Sequence, residues 1–171
     1  KAHQKEDLFI KSGEFSLKNN ILKLKNFNTA IFNTTARGDA VVYNVFSTSP
    51  RFNGNLTILN FNIANFNKLR NTKILPQSIQ KALRAYENYE GLADVKMSCV
   101  NNKVSGEVRL LNIKFLQSVY KIPITIDSGN IYINNNKISL KSINANFDNV
   151  PIFINASLNG LSENSQIKGY F

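Results

Sequence analysis

The stretch GEFSLKNNILKLKNFNTAIF begins at Gly13, and a related stretch, GNIYINNNKISLKSINANFD, begins at Gly129. In both, an Asn-Asn pair separates two runs in which apolar and polar residues alternate. A tight two-residue hairpin turn favours positive φ at both central positions, and Asn adopts positive φ more readily than most residues that have a side chain. The pairs Asn19–Asn20 and Asn135–Asn136 therefore predict β-hairpin turns.

Turns at these positions fix the register of the flanking strands, and that register sorts the side chains by polarity. The apolar pairs are Leu17 with Leu22 and Phe15 with Leu24 in the first hairpin, and Ile133 with Ile138 and Ile131 with Leu140 in the second. On the polar face of the first hairpin, Glu14 lies opposite Lys25. A slip of one residue would mix the two faces, because side chains alternate along a strand.

A third pair, Asn101–Asn102, predicts a hairpin of the same kind. The apolar pairs across this turn are Cys99 with Val104, Met97 with Gly106, and Val95 with Val108. On the other face Lys96 meets Glu107 and Asp94 meets Arg109, and each such pair of opposite charges stabilises pairing by roughly 0.2–1 kcal/mol. Two interpretations remain open: an ordinary antiparallel sheet packed on a core, or a long one-sided apolar surface built from repeats.

The apolar pattern changes parity after each hairpin strand. The changes run from Leu22 and Leu24 to Phe27 and Ile31, from Leu140 to Ile143 and Phe147, from Leu110 to Ile113, and from Ile58 to Phe61. One inserted residue, as in a β-bulge, would bend each strand and keep its apolar side facing inward. We therefore expect a mainly all-β fold, in which a curled antiparallel sheet forms a trough or a closed barrel-like wall.

One segment has helical periodicity instead. In residues 75–91, Ile79, Leu83 and Tyr86 recur at i, i+4 and i+7, with Pro76 near the start and Gly91 after the end. We expect a helix near 76–90 that either completes the core or covers part of the apolar surface with these three side chains.

The chain as a whole is predicted to form one folded domain. A polar leader (1–7) precedes a single β-rich domain (8–171), into which the helical segment 75–91 is inserted. Because the chain begins at Lys1, we expect it to be a segment of a longer array.

The net charge of +10 raises the question of nucleic-acid binding. The lysines are spread along solvent-facing strand positions, whereas most aromatic residues fall on the apolar face. A nucleic-acid platform needs the two interleaved on one exposed face. Attraction to an anionic membrane surface is the more plausible use of this charge.

The chain has one Cys and one His, so the sequence offers no clustered metal ligands and no intramolecular disulfide. It contains no phosphate-binding Gly-rich loop, no H-E-x-x-H and no G-x-S-x-G motif. We therefore expect no enzymatic activity, no catalytic residues, no metal and no cofactor.

The segment GNIYINNNKISLKSINANFDNVPIFINASLNGL resembles the recurring unit of the AsmA-like superfamily, which includes AsmA, TamB and YhdP. The segments GEFSLKNNILKLKNFNTAIFNTTARGDAVVYN and FNGNLTILNFNIANFNKL are similar to the same repeat. The resemblance implies a large bacterial envelope protein that is anchored in the inner membrane and crosses the periplasm. It implies transport of phospholipid, or of another acyl-chain lipid, to the outer membrane along an apolar groove. It carries no catalytic residues.

Taken with the alternating pattern, the resemblance predicts the residues that would line such a groove. These are Phe15, Leu17, Leu22, Leu24, Phe27, Ile31, Val95, Met97, Val104, Val108, Ile131, Ile133, Ile138, Leu140, Ile143, Phe147, Ile152 and Ile154. Two other classes of function remain: a structural or adhesive β-repeat protein with a closed, dry core, and a basic surface that binds nucleic acid or an anionic membrane.

Overall fold

The computed structural model describes residues 9–31, 34–69, 77–159 and 166–170. Ten strands form one antiparallel sheet, and their order in the sheet is their order in the chain. The strands are β1 (Phe9–Lys18), β2 (Ile21–Ile31), β3 (Thr34–Tyr43), β4 (Arg51–Asn62), β5 (Tyr86–Val100), β6 (Lys103–Gln117), β7 (Pro123–Asn134), β8 (Lys137–Phe147), β9 (Val150–Asn159) and β10 (Gln166–Tyr170). The predicted all-β fold, a curled antiparallel sheet, is confirmed.

The three predicted hairpin turns are confirmed with their registers. Asn19 and Asn20 have φ of 50° and 62°, Asn101 and Asn102 have 51° and 63°, and Asn135 has 51°. The strands on either side pair as predicted, with Phe15 opposite Leu24, for example. A fourth tight turn, at Asp148 and Asn149, joins β8 to β9 with φ of 49° and 66°.

The predicted changes of parity coincide with residues in the left-handed region. Asn26 in β2, Asn60 in β4, Asn112 in β6 and Ser142 in β8 all have φ between 49° and 54°. The next strand supplies an acceptor for three of their backbone N–H groups. The bonds run from Asn26 to Asp39 Oδ1 (2.7 Å), from Asn60 to Asp94 Oδ1 (2.9 Å) and from Ser142 to Asn155 Oδ1 (2.9 Å). The strands can therefore bend without leaving these donors unpaired.

A glycine on the partner strand compensates one of these bends. Gly91 in β5 has φ of 106°, and a Cβ on it would lie 2.4 Å from the carbonyl oxygen of Asn112. The register of β5 and β6 shifts on entering this region and shifts back on leaving it. The two strands therefore bend together, and the apolar side of each strand faces the same side of the sheet before and after the corner.

The helical segment lies between β4 and β5 and is shorter than predicted. A 3₁₀ turn at Ile63–Asn65 leads into α1 (Phe66–Leu69), and α2 spans Gln77–Arg84. The predicted helix exists but ends at Arg84, so its predicted extension to residue 90 is wrong. Tyr86 begins β5 instead, because it pairs with Gln117 of β6 and its ring packs on Phe115 at 5.1 Å.

Ile63 begins the 3₁₀ turn. The side chain of Asn62 caps that turn by accepting a hydrogen bond from the N–H of Ala64 (2.9 Å). Asn at this position favours the start of a helical turn over the continuation of a strand.

The sheet is open. Among the described strands, β1 pairs only with β2, and β10 pairs only with β9. The chain exposes 12096 Å². A compact monomer of 19.3 kDa would expose about 8,500 Å². The excess indicates a sheet with large uncovered faces.

We expect Asn101→Val to destabilise the protein by about 1–2 kcal/mol, because a β-branched residue is strained at a φ of 51°. The matched control is Asn134→Val, at an exposed strand position outside the left-handed region. Urea unfolding of both variants measures the difference. Equal stability of the two variants would contradict the assigned turn.

Asp94 predicts a pH dependence of stability. The N–H of Asn60, and after it the guanidinium of Arg109 at 2.6 Å, hold the pKa of Asp94 below its usual value of 3.8. A carboxylate with a lowered folded-state pKa stabilises the protein above its unfolded-state pKa, and this stabilisation is lost as pH falls through the folded-state value. Asp94→Asn should therefore cost about 1 kcal/mol or less at neutral pH.

The difference between Asp94→Asn and the parent should shrink as the pH of a urea-unfolding series falls below about 4. Asp127→Asn, at an exposed position on β7, is the matched control for loss of one carboxylate. A deficit in Asp94→Asn that stays constant down to the acid limit of the series would argue against the ionic role of Asp94.

Candidate functional site

The registers place every predicted lining residue on one face of the sheet, which we call the trough face. The pairing can be followed across the strands from Leu22 to Val42, from Val42 to Phe52, and onward to β9. The predicted residues on this face are Phe15, Leu17, Leu22, Leu24, Phe27, Val95, Met97, Val104, Val108, Ile131, Ile133, Ile138, Leu140, Ile143, Phe147, Ile152 and Ile154. Ile31 joins them by backbone register with Thr34, and its side chain lies outside the described residues.

Further residues share this face but were not in the predicted set. They are Ala36, Ala40, Val42, Phe52, Leu56, Ile58, Phe61, Ala93, Cys99, Leu110, Ile113, Phe115, Ile124, Ile126, Ala145, Ala156 and Leu158. Alternation in β3 and β4 could have identified some of them. The connection between these two strands, residues 44–50, contains no Asn pair that would have fixed the register.

The helical segment covers the trough face over β4, β5 and β6. Phe66 of α1 packs on Phe61 at 5.8 Å and on Tyr89 at 5.7 Å, and Tyr89 lies 5.9 Å from Phe115. Leu83 of α2 packs against the same cluster. The buried members of this cluster are Ala36, Ile58, Phe61, Ile63, Tyr89, Ala93 and Ile113.

Polar contacts hold this cover in place. Asn67 of α1 donates its side-chain amide to the carbonyl of Tyr89 (3.1 Å) and accepts the N–H of Tyr89 (3.2 Å). The hydroxyl of Tyr89 donates to the carbonyl of Leu83 (3.0 Å). Of the three predicted cover residues, Leu83 lies on the helix and Tyr86 contributes from β5, whereas the side chain of Ile79 is outside the described residues.

Away from the helices the trough face is open to solvent. Phe15 is 68% exposed and Leu17 is 48% exposed, and Phe52, Val104, Phe147 and Val150 are also exposed. Large apolar side chains exposed together on one face are typical of a binding surface. Within the described residues, no large side chain on either face is completely buried.

A concavity of about 260 Å³ lies on the uncovered part of the trough face. Its walls include Phe27, Phe52, Leu56, Met97 and Val104. Small residues on the neighbouring strands leave room for these side chains. A Cβ on Gly106, for example, would clash with the sulfur of Met97 at 2.4 Å. The concavity is apolar, and its chemistry suits a hydrocarbon chain.

The opposite face of the sheet is polar. Arg109 and Asp94 form an ion pair there at 2.6 Å, and the ammonium of Lys141 lies 5.1 Å from the centre of the Tyr132 ring. Burial and the neighbouring Glu107 raise the pKa of Tyr132 above its usual value of 10.0. The sheet is therefore amphipathic, although its polar face also exposes Leu59, Leu92, Val100 and Phe153.

The described residues contain no group of three or more side chains that could hold a metal ion. None of their helices has the length and apolar character needed to cross a bilayer. Cys99 is half-buried on the trough face, with its sulfur 3.5 Å from the carbonyl oxygen of Phe52.

Comparison of the chain with models of known protein families, with characterised proteins and with solved structures finds no significant match.

Filling the floor of the trough should destabilise the sheet. Gly106→Val would place atoms on the sulfur of Met97 and on the carbonyl of Lys96, and we expect a loss of about 1–3 kcal/mol. The control is Ser105→Val, on the next residue of β6, which faces the polar side. Thermal or urea unfolding measures both, and an equal effect would argue against close packing over Gly106.

Proposed function

We propose that this chain is a section of a lipid-transport protein of the AsmA-like kind, in which the trough face shields the acyl chains of a phospholipid or similar lipid. The observation that carries this proposal is the continuity of the apolar face from β1 to β9, with large side chains left exposed along it. The proposed role is binding and guiding, without catalysis.

The energetics favour hydrocarbon on this surface. Each buried methylene group gains about 0.8 kcal/mol, so an acyl chain of a dozen or more carbons gains enough to leave a bilayer transiently. Within the described strands, the residues of the trough face defined above carry no charge. Because no ionic contact would hold the chain at one place, the lipid can slide along the surface.

The dimensions of the sheet also suit this role. The nine strands from β1 to β9, spaced about 4.8 Å apart, give a trough roughly 38 Å long, measured across the strands. The polar face lets the outside of the trough remain in water while the lipid head group projects from its open side.

Two observations favour this function over the alternatives. A closed, dry core would require a second layer over the apolar side chains, and among the described residues only the helical segment provides one. A nucleic-acid platform would require a series of exposed aromatic rings among the cations of the polar face, whereas most rings lie on the trough face, and Tyr43 and Tyr132 are each covered by a cation.

The proposal extends to the cellular setting implied by the resemblance. The parent protein would be anchored in the inner membrane, the trough would cross the periplasm, and its cargo would contribute to the biogenesis of the outer membrane.

The double variant Leu24→Asp with Ile133→Asp tests the proposal, because it places charge at two separate points of the trough. We expect it to abolish lipid binding, measured by photo-crosslinking to a phospholipid with a photoreactive acyl chain and by native mass spectrometry of the purified protein. The matched control is Val100→Asp with Phe153→Asp, at two exposed apolar positions on the polar face.

The control variant should crosslink as the parent does, and circular dichroism should show that both variants keep the fold. Undiminished crosslinking in Leu24→Asp with Ile133→Asp would refute the trough as the lipid site. Equal loss in both double variants would point to a general effect of added negative charge.

A further inference from the structure

Four described connections lie at one end of the strands, and we call them the turn rim; the connection between β9 and β10, residues 160–165, lies outside the described residues. They are the turns at 19–20, 101–102 and 135–136, and the longer connection 44–50 between β3 and β4. They form one long edge of the trough, opposite the end where the helical segment lies.

Hydrogen bonds join the first two connections of the rim. The carbonyl of Asn20 accepts the N–H of Val45 (3.2 Å), and its side-chain oxygen accepts the N–H of Phe46 (3.0 Å). The loop that carries Phe46 is thereby fixed to the first hairpin. Phe46 itself is 80% exposed.

Further bonds join the remaining connections. The side chain of Asn102 accepts the N–H of Phe52 (2.7 Å) and donates to the carbonyl of Pro50 (3.2 Å). The N–H of Asn101 donates to the side chain of Asn53 (2.6 Å), and that of Asn135 donates to the carbonyl of Val104 (2.6 Å). All four connections are therefore joined by hydrogen bonds into one edge, which fixes the relative positions of their backbones.

Each connection carries one exposed cation close to its turn. The four cations are Lys18, Arg51, Lys103 and Lys137. In these four connections and the two residues on either side of each, there is no Asp or Glu. Lys18 on β1 and Arg51 on β4 are three strands apart, roughly 14 Å, whereas Arg51, Lys103 and Lys137 follow one another at intervals of two strands, roughly 10 Å.

The opposite end of the sheet has a different charge pattern. There, Lys121 is paired with Glu87 at 2.5 Å, Asp148 lies in the turn between β8 and β9, and the helical segment carries the cations Lys68, Lys81 and Arg84. The turn rim differs from that end because its four described connections carry cations without an acidic side chain.

We propose that the turn rim docks on the surface of an anionic lipid bilayer. The four cations would meet the head groups, and Phe46 would enter the interface between head groups and acyl chains. Rows of basic residues with an aromatic side chain are the features that such surfaces bind. The inference rests on the proposed function in one respect: it makes the rim the side of the trough nearest the lipid source, with Leu17, Phe52 and Val104 just behind it.

A single-stranded nucleic acid is the other polyanion to consider. It requires aromatic rings on which successive bases stack. On the rim, the ring of Tyr43 lies beneath the guanidinium of Arg51 at 5.5 Å, which leaves Phe46 as the one projecting ring in the four described connections. The rim therefore suits a bilayer surface better.

Vesicle co-sedimentation tests this proposal. The probes are vesicles of phosphatidylcholine alone and vesicles that also contain phosphatidylglycerol. The rim variant carries Lys18→Gln, Arg51→Gln, Lys103→Gln and Lys137→Gln. The control variant loses the same charge from exposed strand positions away from the rim, through Lys11→Gln, Lys25→Gln, Lys114→Gln and Lys141→Gln.

We expect the parent to bind only the anionic vesicles, and the rim variant to bind them at least about 100-fold more weakly. The control variant should lose much less. Phe46→Ser should weaken binding several-fold, whereas Phe153→Ser, at an exposed position on the polar face, should not. Circular dichroism confirms that each variant is folded.

Three results would overturn the proposal. The rim variant could bind anionic vesicles like the parent, both charge variants could lose binding equally, or a single-stranded oligonucleotide could bind the rim more tightly than the vesicles do. None of these bears on acyl-chain crosslinking in the trough, which is measured without vesicles, so failure of the rim proposal is distinguishable from failure of the trough proposal.

Discussion

The fold depends on backbone N–H groups that leave the regular ladder where the strands bend. At Asn26, Asn60 and Ser142, a side chain from the next strand accepts the displaced hydrogen. Without these acceptors, the bend would leave unpaired donors and the sheet would favour a flatter course. With them, strands can change direction and still present the same side to the interior. The continuous trough face is a consequence of these bonds.

The second constraint is the difference in polarity between the two faces of the sheet. A sheet with one apolar face normally buries that face against another layer. Here the helical segment covers β4, β5 and β6, and the rest of the trough face remains exposed, including Phe15 and Phe52. The covered part supplies the stable core through Phe61, Phe66 and Tyr89. In the proposed function the uncovered part binds the lipid, so stability and binding are assigned to different regions of one surface.

Local signals made much of this architecture predictable. An Asn pair between alternating runs determines both the turn and the register, and the changes of parity located the bends at Asn26 and Ser142. Prediction failed where the deciding contact came from elsewhere in the chain. Tyr86 fits a helical pattern, but pairing with β6 and the ring of Phe115 place it in a strand. The hydrogen bond from Asn102 to Pro50 joins turns far apart in sequence, and no local pattern predicts it.

The strands lie in the sheet in the same order as they occur in the chain, and this order affects how the protein folds. Each described strand pairs only with the strands before and after it, so no pairing requires a distant part of the chain to arrive first. The entropy of loop closure is accordingly small at most steps, the exception being the long connection through the helices. Such a sheet can fold by sequential addition of neighbouring strands to any hairpin that forms early.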